Sequence, residues 1–195
     1  MFIAIPLSSE ARDAVAALVA SLPVPDGRPV RWVRFDGLHL TIRFLGPTPT
    51  DRLAAVDAAV AAVAADEGPF TVSIRGAGAF PNLRRPRALW LGVDEGTAEL
   101  SRLGRETNAA LAAAGWAPDD RTYRPHLTLA RSDGVRAGAA TAAALIAAAA
   151  ALEVRFTADR LVLFESLTGG GPARYEPIVE HRLAGASSRS TAAGA

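Results

Sequence analysis

The chain has 195 residues, a net charge of +1 at pH 7 and no cysteine. Because the charges nearly balance, no field of one sign indicates a nucleic acid or membrane partner. The absence of cysteine excludes disulfide bonds and thiolate metal sites and fits a reducing compartment, so we expect a cytoplasmic protein. A chain of this length buries roughly 70% of its extended-chain surface and needs no cross-links to fold.

The first half, about residues 1–85, predicts the order strand, helix, strand, helix, strand. The apolar run FIAI is typical of a strand, and SSEARDAVAALVASL is typical of a helix with Ser8 or Ser9 as its cap. A second strand, HLTIRFLG, begins at His39 and is followed by the helical stretch PTPTDRLAAVDAAVAAVAADEG. The third strand, FTVSIRGAGAF, begins at Phe70.

The second half, about residues 86–185, repeats this order after the loop FPNLRRPRA. ALWLGV predicts a strand, GTAELSRLGRETNAALAAAG a helix, HLTLARSD from His126 a strand, and GVRAGAATAAALIAAAAALE an alanine-rich helix. VRFTADRLVLFES follows, and LTGGGPARY predicts a hairpin turn before the last strand, YEPIVEHRL. Residues 186–195 are small and polar and predict a disordered tail.

The two halves also agree in spacing. Ile3 precedes His39 by 36 residues, and Trp90 precedes His126 by 36 residues. A unit of about 87 residues that occurs twice is too long for a solenoid repeat. We therefore predict one monomeric α+β domain over residues 1–185. Its two lobes are related by a pseudo-twofold axis, with antiparallel sheets around a central cleft, and an exchange of terminal strands between the lobes is left open.

Both histidine strands carry the phrase His-Leu-Thr followed by an apolar residue, although the chain has only three histidines. Side chains alternate along a strand, so His39 and Thr41 share one face, as do His126 and Thr128, while the apolar residues face the core. The same alternation predicts the side chain of Arg43 on the face of Thr41. Arg131 ends the second strand and is predicted to reach the cleft from its rim.

Two imidazoles that face each other suit general acid–base catalysis. With a pKa near 6.5, one ring can be neutral and accept a proton from water while the other gives a proton to a leaving oxygen. Threonine hydroxyls and arginine side chains can donate to phosphoryl oxygens where negative charge develops. No cluster of carboxylates or cysteines lies near the motifs, so we predict neither a metal nor another cofactor.

Structural and metal-binding roles are alternatives to catalysis for these residues. A histidine in an apolar strand is more often structural than catalytic, and a duplicated structural strand is the remaining alternative. A metal site would need a third ligand, for which His181 and Asp36 lack the usual short spacing. We interpret His181 as an ordinary surface or edge-strand residue. The RRPR segment, Arg84 to Arg87, is more typical of a solvated loop than of an RNA contact, and its role stays open.

The paired motifs resemble those of the two-histidine (2H) phosphoesterases. The chain is most similar to the bacterial and archaeal RNA 2′,3′-cyclic phosphodiesterases, also called 2′-5′ RNA ligases, in FIAI, LHLTIRFLG, RALWLGV, RPHLTLAR and GPARYEPIVEHRL. The resemblance implies a bilobed α+β fold, with His39 as proton donor and His126 as proton acceptor. It also implies that Thr41 and Thr128 bind phosphate. Tyr123 stands where the family often has phenylalanine.

The resemblance further implies an enzyme that opens RNA 2′,3′-cyclic phosphates to 2′-phosphates and weakly ligates RNA in reverse. Two alternatives stay open. The same site would act on small cyclic-phosphate nucleotides, such as a cyclic phosphate of ADP-ribose, or the chain would be a non-catalytic RNA-binding module, which needs neither histidine. The expected partners are RNA ends or small cyclic nucleotides, with no membrane. The family tolerates several residues at the position of Arg43, so we expect the least of that side chain.

Overall fold

The computed structural model describes residues 1–24, 30–132, 137–169 and 171–185. The strands and helices formed by these residues are β1 Phe2–Pro6, α1 Ser9–Ala20, β2 Arg31–Trp32, β3 His39–Phe44, α2 Leu53–Asp66, β4 Phe70–Phe80, β5 Ala88–Val93, α3 Thr97–Ala113, β6 His126–Arg131, α4 Ala137–Ala149, β7 Val154–Ala158, β8 Arg160–Leu167 and β9 Arg174–Arg182. The predicted tail, residues 186–195, lies outside the described residues.

The strands form two antiparallel sheets, in the orders β3-β1-β8-β9 and β2-β6-β5-β4-β7. The predicted α+β class with antiparallel sheets is confirmed. Each sheet draws strands from both halves of the chain. β4, from the first half, lies between β5 and β7 in the second sheet, and β8 and β9, from the second half, complete the first sheet.

Helices pack on these sheets through residues that the apolar periodicity places on one face. The side-chain oxygen of Ser8 accepts a hydrogen bond from the backbone N–H of Ala11 at 3.2 Å, so Ser8 caps α1 as predicted. Val15 of α1 and Leu103 of α3 are fully buried in one core that the four α-helices and both sheets of the described residues share. None of the helices in the described ranges is long and apolar enough to span a membrane.

The edge strand of the first sheet lies beside the second sheet. Cα atoms of β3 and β6 come within 8 Å of each other, although no ladder hydrogen bonds join the two strands. The hydroxyl of Tyr123, just before β6, donates to the backbone carbonyl of Thr41 in β3 at 3.0 Å. The two predicted histidine strands are therefore neighbours, which brings both motifs to one place.

Candidate active site

The first histidine strand contains a β-bulge at the fourth residue of its motif. Thr41 and Arg43 pair with consecutive residues of β1, so the intervening Ile42 is the extra residue. A bulge shifts the alternation of side chains by one position. After it, Phe44 lines the cleft, and the guanidinium of Arg43 lies among protein groups at its side.

The second histidine strand has a bulge at the equivalent position. Thr128 and Ala130 pair with consecutive residues of β5, so Leu129 is the extra residue. Ala130 is fully buried, and Arg131 follows it into the cleft. The two motifs thus share the bulge, and Phe44 and Arg131 occupy equivalent places after it.

The cleft consists of two adjoining cavities, of about 900 Å³ and about 1200 Å³. His39 lines the first and His126 lines the second. Four residues line both cavities and therefore lie between the histidines: Thr41, Phe44, Thr128 and Arg131. The structure brings together five of the six predicted site residues in this way, the exception being Arg43.

Arg43 is held by the protein and lines neither cavity. Its Nη1 donates to Oδ2 of Asp119 at 2.9 Å, and its Nη2 donates to the carbonyl of Ala117 at 2.6 Å. The alternation that placed Arg43 beside Thr41 does not hold, because the bulge at Ile42 intervenes. The role of Arg43 in phosphate binding stays a prediction without geometric support.

The His39 ring is oriented by one hydrogen bond and by aromatic contacts. Its Nδ1 lies 2.7 Å from the carbonyl oxygen of Gly37. A carbonyl can only accept, so Nδ1 carries the hydrogen and the neutral ring presents an unprotonated Nε2. Phe2 stacks on the ring with centroids 4.6 Å apart, and Tyr175 meets it edge-on at 4.9 Å. These contacts fix the tautomer and the tilt of the imidazole.

The His126 ring is built in the same way. Its Nδ1 lies 2.7 Å from the carbonyl oxygen of Arg124, again two residues earlier in the chain, so Nε2 is again the free nitrogen. Phe80 meets the ring edge-on with centroids 5.0 Å apart, and Trp90 lies at 6.4 Å. Both imidazoles therefore have the same tautomer when neutral, with the hydrogen on Nδ1.

Sequence reasoning did not identify the four aromatic residues that hold these rings. Phe2 begins FIAI and Trp90 lies in ALWLGV, the strands that pair with β3 and β6. Phe80 and Tyr175 come from β4 and β9, which are distant in sequence from either motif. A signal existed for the first two, because a strand that neighbours a motif strand supplies side chains to the same face.

Burial controls the charge of both imidazoles. Desolvation lowers the pKa of His39 to about 4, against a smaller opposite effect of the bond to Gly37. Desolvation also lowers the pKa of His126; the carbonyl of Arg124 opposes this, and the charge of Arg131 adds to it. Both rings are consequently neutral at pH 7 when the cleft holds no anion.

The proposed third ligands of a metal site lie elsewhere. The carboxylate of Asp36 accepts a hydrogen bond from Arg34, with Nε 3.2 Å from Oδ1, and Nε2 of His181 lies 2.6 Å from Oδ1 of Asp57. Neither Asp36 nor His181 lines the two cavities. In the part of the chain that the structure describes, no group of three or more histidine, cysteine or acidic residues could hold a metal ion.

Comparison with known proteins decides the family. Residues 8–170 match the 2′-5′ RNA ligase superfamily. The chain belongs to this superfamily. It is 34% identical over 195 residues to an RNA 2′,3′-cyclic phosphodiesterase of Geobacillus stearothermophilus, an alignment that covers 99% of the chain and 60% of that relative. An RNA 2′,3′-cyclic phosphodiesterase of Aeropyrum pernix is 36% identical over 110 residues, covering 56% of the chain and 61% of the relative. The chain thus spans about three fifths of these two relatives.

Solved structures of other proteins share the fold. A protein of Thermus thermophilus superposes with a TM-score of 0.76 at 25% identity, covering 94% of this chain and 97% of that one. LigT of E. coli, in a crystal structure complexed with 3′-AMP, superposes with a TM-score of 0.72 at 25% identity, covering 93% and 96%. The paired bulged strands therefore belong to a 2′-5′ RNA ligase superfamily fold.

Proposed function

We propose that the chain hydrolyses the 2′,3′-cyclic phosphodiester ends of RNA to 2′-phosphomonoesters by general acid–base catalysis with two histidines. One observation carries the proposal: His39 and His126 have the same orienting hydrogen bond and line adjoining cavities with Thr41 and Thr128 between them. Two superfamily relatives bear the name RNA 2′,3′-cyclic phosphodiesterase, which supports RNA ends as the substrate.

The proposed step breaks one phosphorus–oxygen bond and forms another. The Nε2 of His126 accepts a proton from water as the water oxygen attacks phosphorus. The bond from phosphorus to the 3′-oxygen breaks, and the protonated Nε2 of His39 gives that oxygen its proton. The product carries a 2′-phosphate and a free 3′-hydroxyl. When a 5′-hydroxyl of RNA takes the place of water, the same step forms a 2′-5′ linkage, so the proposed mechanism also predicts weak reversible ligation.

Substrate supplies the charge that the proton donor needs. Burial alone favours the neutral form of both imidazoles. The negative charge of a cyclic phosphate beside the rings favours their protonated forms and raises the pKa of each. Protonation of His39 is therefore coupled to substrate binding. Thr41, Thr128 and Arg131 line both cavities and can donate to phosphoryl oxygens as charge develops in the transition state.

Action on small nucleotides is a second candidate. The cavity beside His39 has a volume of about 900 Å³, within the range of small-molecule sites, and aromatic side chains line it. LigT of E. coli, which shares the fold, is found complexed with 3′-AMP. Both observations fit a site that holds a single nucleotide. A non-catalytic RNA-binding role is disfavoured, since it gives no reason for two imidazoles with matched tautomers.

We also propose that the chain acts as a monomer in the cytoplasm. A chain without cysteine fits a reducing compartment. Both histidines and both threonines come from the same chain, so a second copy is not needed to complete the cleft.

Hydrolysis of the four nucleoside 2′,3′-cyclic monophosphates and of a short RNA with a cyclic phosphate end tests the proposal directly. The product isomer is identified in each case. We expect 2′-phosphates, formed by the wild type and lost in His39→Ala and His126→Ala. Release of 3′-phosphates would contradict the assignment of the leaving oxygen, and absence of turnover on every substrate would refute the activity.

A further inference from the structure

The two cavities of the cleft differ in chemistry. The cavity beside His39, here called the aromatic cavity, is lined by Phe2, Trp32, Phe44 and Tyr175, with Arg31 also in its wall. The cavity beside His126, here called the arginine cavity, is lined by Arg85, Arg87, Arg121 and Arg131. Residues Asn82, Phe80 and Pro81 complete the wall on the side of the RRPR loop.

Positive charge in the arginine cavity is largely uncompensated. Of the four arginines, Arg121 is paired with Asp119, whose Oδ1 accepts from Nε at 2.8 Å. Arg85 and Arg87 form no ion pair with any described residue. Two unpaired guanidinium groups on one wall of a concave site attract a polyanion.

Hydrogen bonds to the side chain of Asn82 and within the backbone hold the loop that carries these arginines in place. The side-chain oxygen Oδ1 of Asn82 accepts hydrogen bonds from the backbone N–H groups of Arg84 at 3.1 Å and Arg85 at 3.0 Å. The N–H of Arg87 donates to the carbonyl of Phe80 at 2.7 Å. Phe80 in turn contacts the ring of His126. The loop is thus fixed beside His126, and its exposed Arg85 and Arg87 are available to contact a substrate.

We propose, on the basis of the proposed function, that the arginine cavity binds the phosphodiester backbone of a nucleic acid strand beside the reacting phosphate. The aromatic cavity takes the nucleoside that bears the cyclic phosphate, because bases stack on aromatic side chains regardless of sequence. A water molecule that acts as nucleophile requires neither a cavity of about 1200 Å³ nor four arginines. An RNA strand with several phosphates can contact these arginines, so RNA occupies both cavities, whereas a mononucleotide occupies only the aromatic cavity.

Two different RNA strands could supply the phosphodiester backbone that the arginine cavity binds. The backbone can belong to the RNA that carries the cyclic phosphate, or to a second RNA whose 5′-hydroxyl replaces water in ligation. The phosphates and the arginines that bind them are the same in both cases. The experiment therefore includes both.

The test measures KM for a nucleoside 2′,3′-cyclic monophosphate and for a four-nucleotide RNA that ends in the same nucleoside and cyclic phosphate. A third measurement uses a four-nucleotide RNA with a 5′-hydroxyl and no cyclic phosphate as an inhibitor of mononucleotide hydrolysis. The variants are Arg85→Ala and Arg87→Ala. Arg84→Ala is the matched control, because Arg84 lies in the same loop and lines neither cavity.

If the backbone belongs to the cyclic-phosphate strand, each variant raises the ratio of the RNA KM to the mononucleotide KM about tenfold, and Arg84→Ala leaves it unchanged. The slope of log KM against log salt for the RNA falls by about 0.7 per arginine removed. If the backbone belongs to the second strand, the variants instead weaken inhibition by the 5′-hydroxyl RNA by a similar factor.

Equal effects of all three variants, or none in either measurement, would overturn the arginine cavity as a strand site. That result leaves hydrolysis of the mononucleotide by the wild type intact, so it differs from failure of the proposed function, in which no cyclic phosphate is opened at all.

Discussion

Arg43 and Asp119 form an ion pair, Nη1 to Oδ2 at 2.9 Å, that joins the first histidine strand to the loop before the second. Both side chains are largely buried, at 11% and 20% exposure. Hydrogen bonds from Arg121, despite partial desolvation and with further help from Arg43, hold the pKa of the Asp119 carboxyl well below its usual range. The pair therefore links the strands that carry His39 and His126.

Loss of this pair should destabilise the fold. Arg43→Met removes the hydrogen bonds of Arg43 to Asp119 and Ala117 but leaves Asp119 paired with Arg121, so we expect about 2 kcal/mol less stability, as for the loss of a hydrogen-bonded charged group. Urea denaturation measures the free energy of unfolding of the wild type and the variant. Arg34→Met is the control, because the Arg34 pair with Asp36 is exposed, and its loss should cost less than about 1 kcal/mol. Equal losses in the two variants would show that the Arg43 pair behaves as a surface pair.

The buried His39 should make stability depend on pH. Its pKa is about 4 in the folded protein and near 6.5 when unfolded, so the unfolded chain binds more protons between these values. The contribution is fully present above about pH 6.5 and is lost as the pH falls through 4, with a slope of up to about 1.4 kcal/mol per pH unit.

His39→Gln removes this titration and keeps a side chain of similar size between the aromatic rings. Both free energies of unfolding are measured in urea at a series of pH values. The value for the wild type minus the value for the variant should decrease from pH 7 to pH 4. Parallel curves would mean that His39 is not desolvated in solution.

The sequence predicted which side chains of each motif share a face, and the structure agrees for His39, Thr41, His126 and Thr128. It could not predict the side chains after them. A bulge is set by the pairing of β3 with β1 and of β6 with β5, and period-two alternation does not contain that information. Arg43 was therefore misplaced.

The pairing of strands within the sheets could not be predicted from the sequence for a similar reason. The patterns FTVSIRGAGAF and VRFTADRLVLFES predict strands but not the sheet that each joins. In the structure, β4 pairs with β5 and β7, and β8 pairs with β1 and β9. The ring contacts of Phe80 and Tyr175 with the two histidines depend on that exchange. The lowered pKa of His39 depends on the same packing, whereas the sequence alone indicates a value near 6.5.

Activity should not depend on a divalent metal. The proposed step obtains both proton transfers from imidazoles and its charge stabilisation from Thr41, Thr128 and Arg131. We expect full activity in excess EDTA, measured on a nucleoside 2′,3′-cyclic monophosphate. A loss of activity that one divalent metal restores would refute a metal-free step. A loss that no metal restores would indicate an effect of the chelator itself, which dialysis reverses.

A phosphate in the cleft should raise the pKa of His39. An anion beside the ring favours the imidazolium, whereas burial of the ring disfavours it. NMR titration of the ring protons, with and without a saturating nucleoside 2′-monophosphate, measures the shift. We expect an upward shift for both His39 and His126, which line the two cavities. An unchanged pKa of His39 would show that its protonation is not coupled to substrate binding.

Single-turnover hydrolysis of an RNA with a cyclic phosphate end should separate the two histidines from the residues around them. His39→Ala and His126→Ala should each lose about 10²- to 10⁴-fold, the usual contribution of a general acid or base. Thr41→Ala and Thr128→Ala should each cost about 1–3 kcal/mol, since each removes one hydrogen bond to a charged phosphoryl group. His181→Ala is the control and should leave the rate unchanged.

The rate of the wild type should follow a bell-shaped curve in pH, because the step needs one imidazole protonated and the other neutral. The two limbs belong to the coupled pair and not to either ring alone. The double variant of His39 and His126 should lose less than the product of the two single losses, since the pair acts as one unit. Circular dichroism verifies the fold of each variant, and His39→Gln replaces His39→Ala if the alanine variant does not fold. Near-normal turnover by a folded variant of either histidine would refute the two-histidine mechanism.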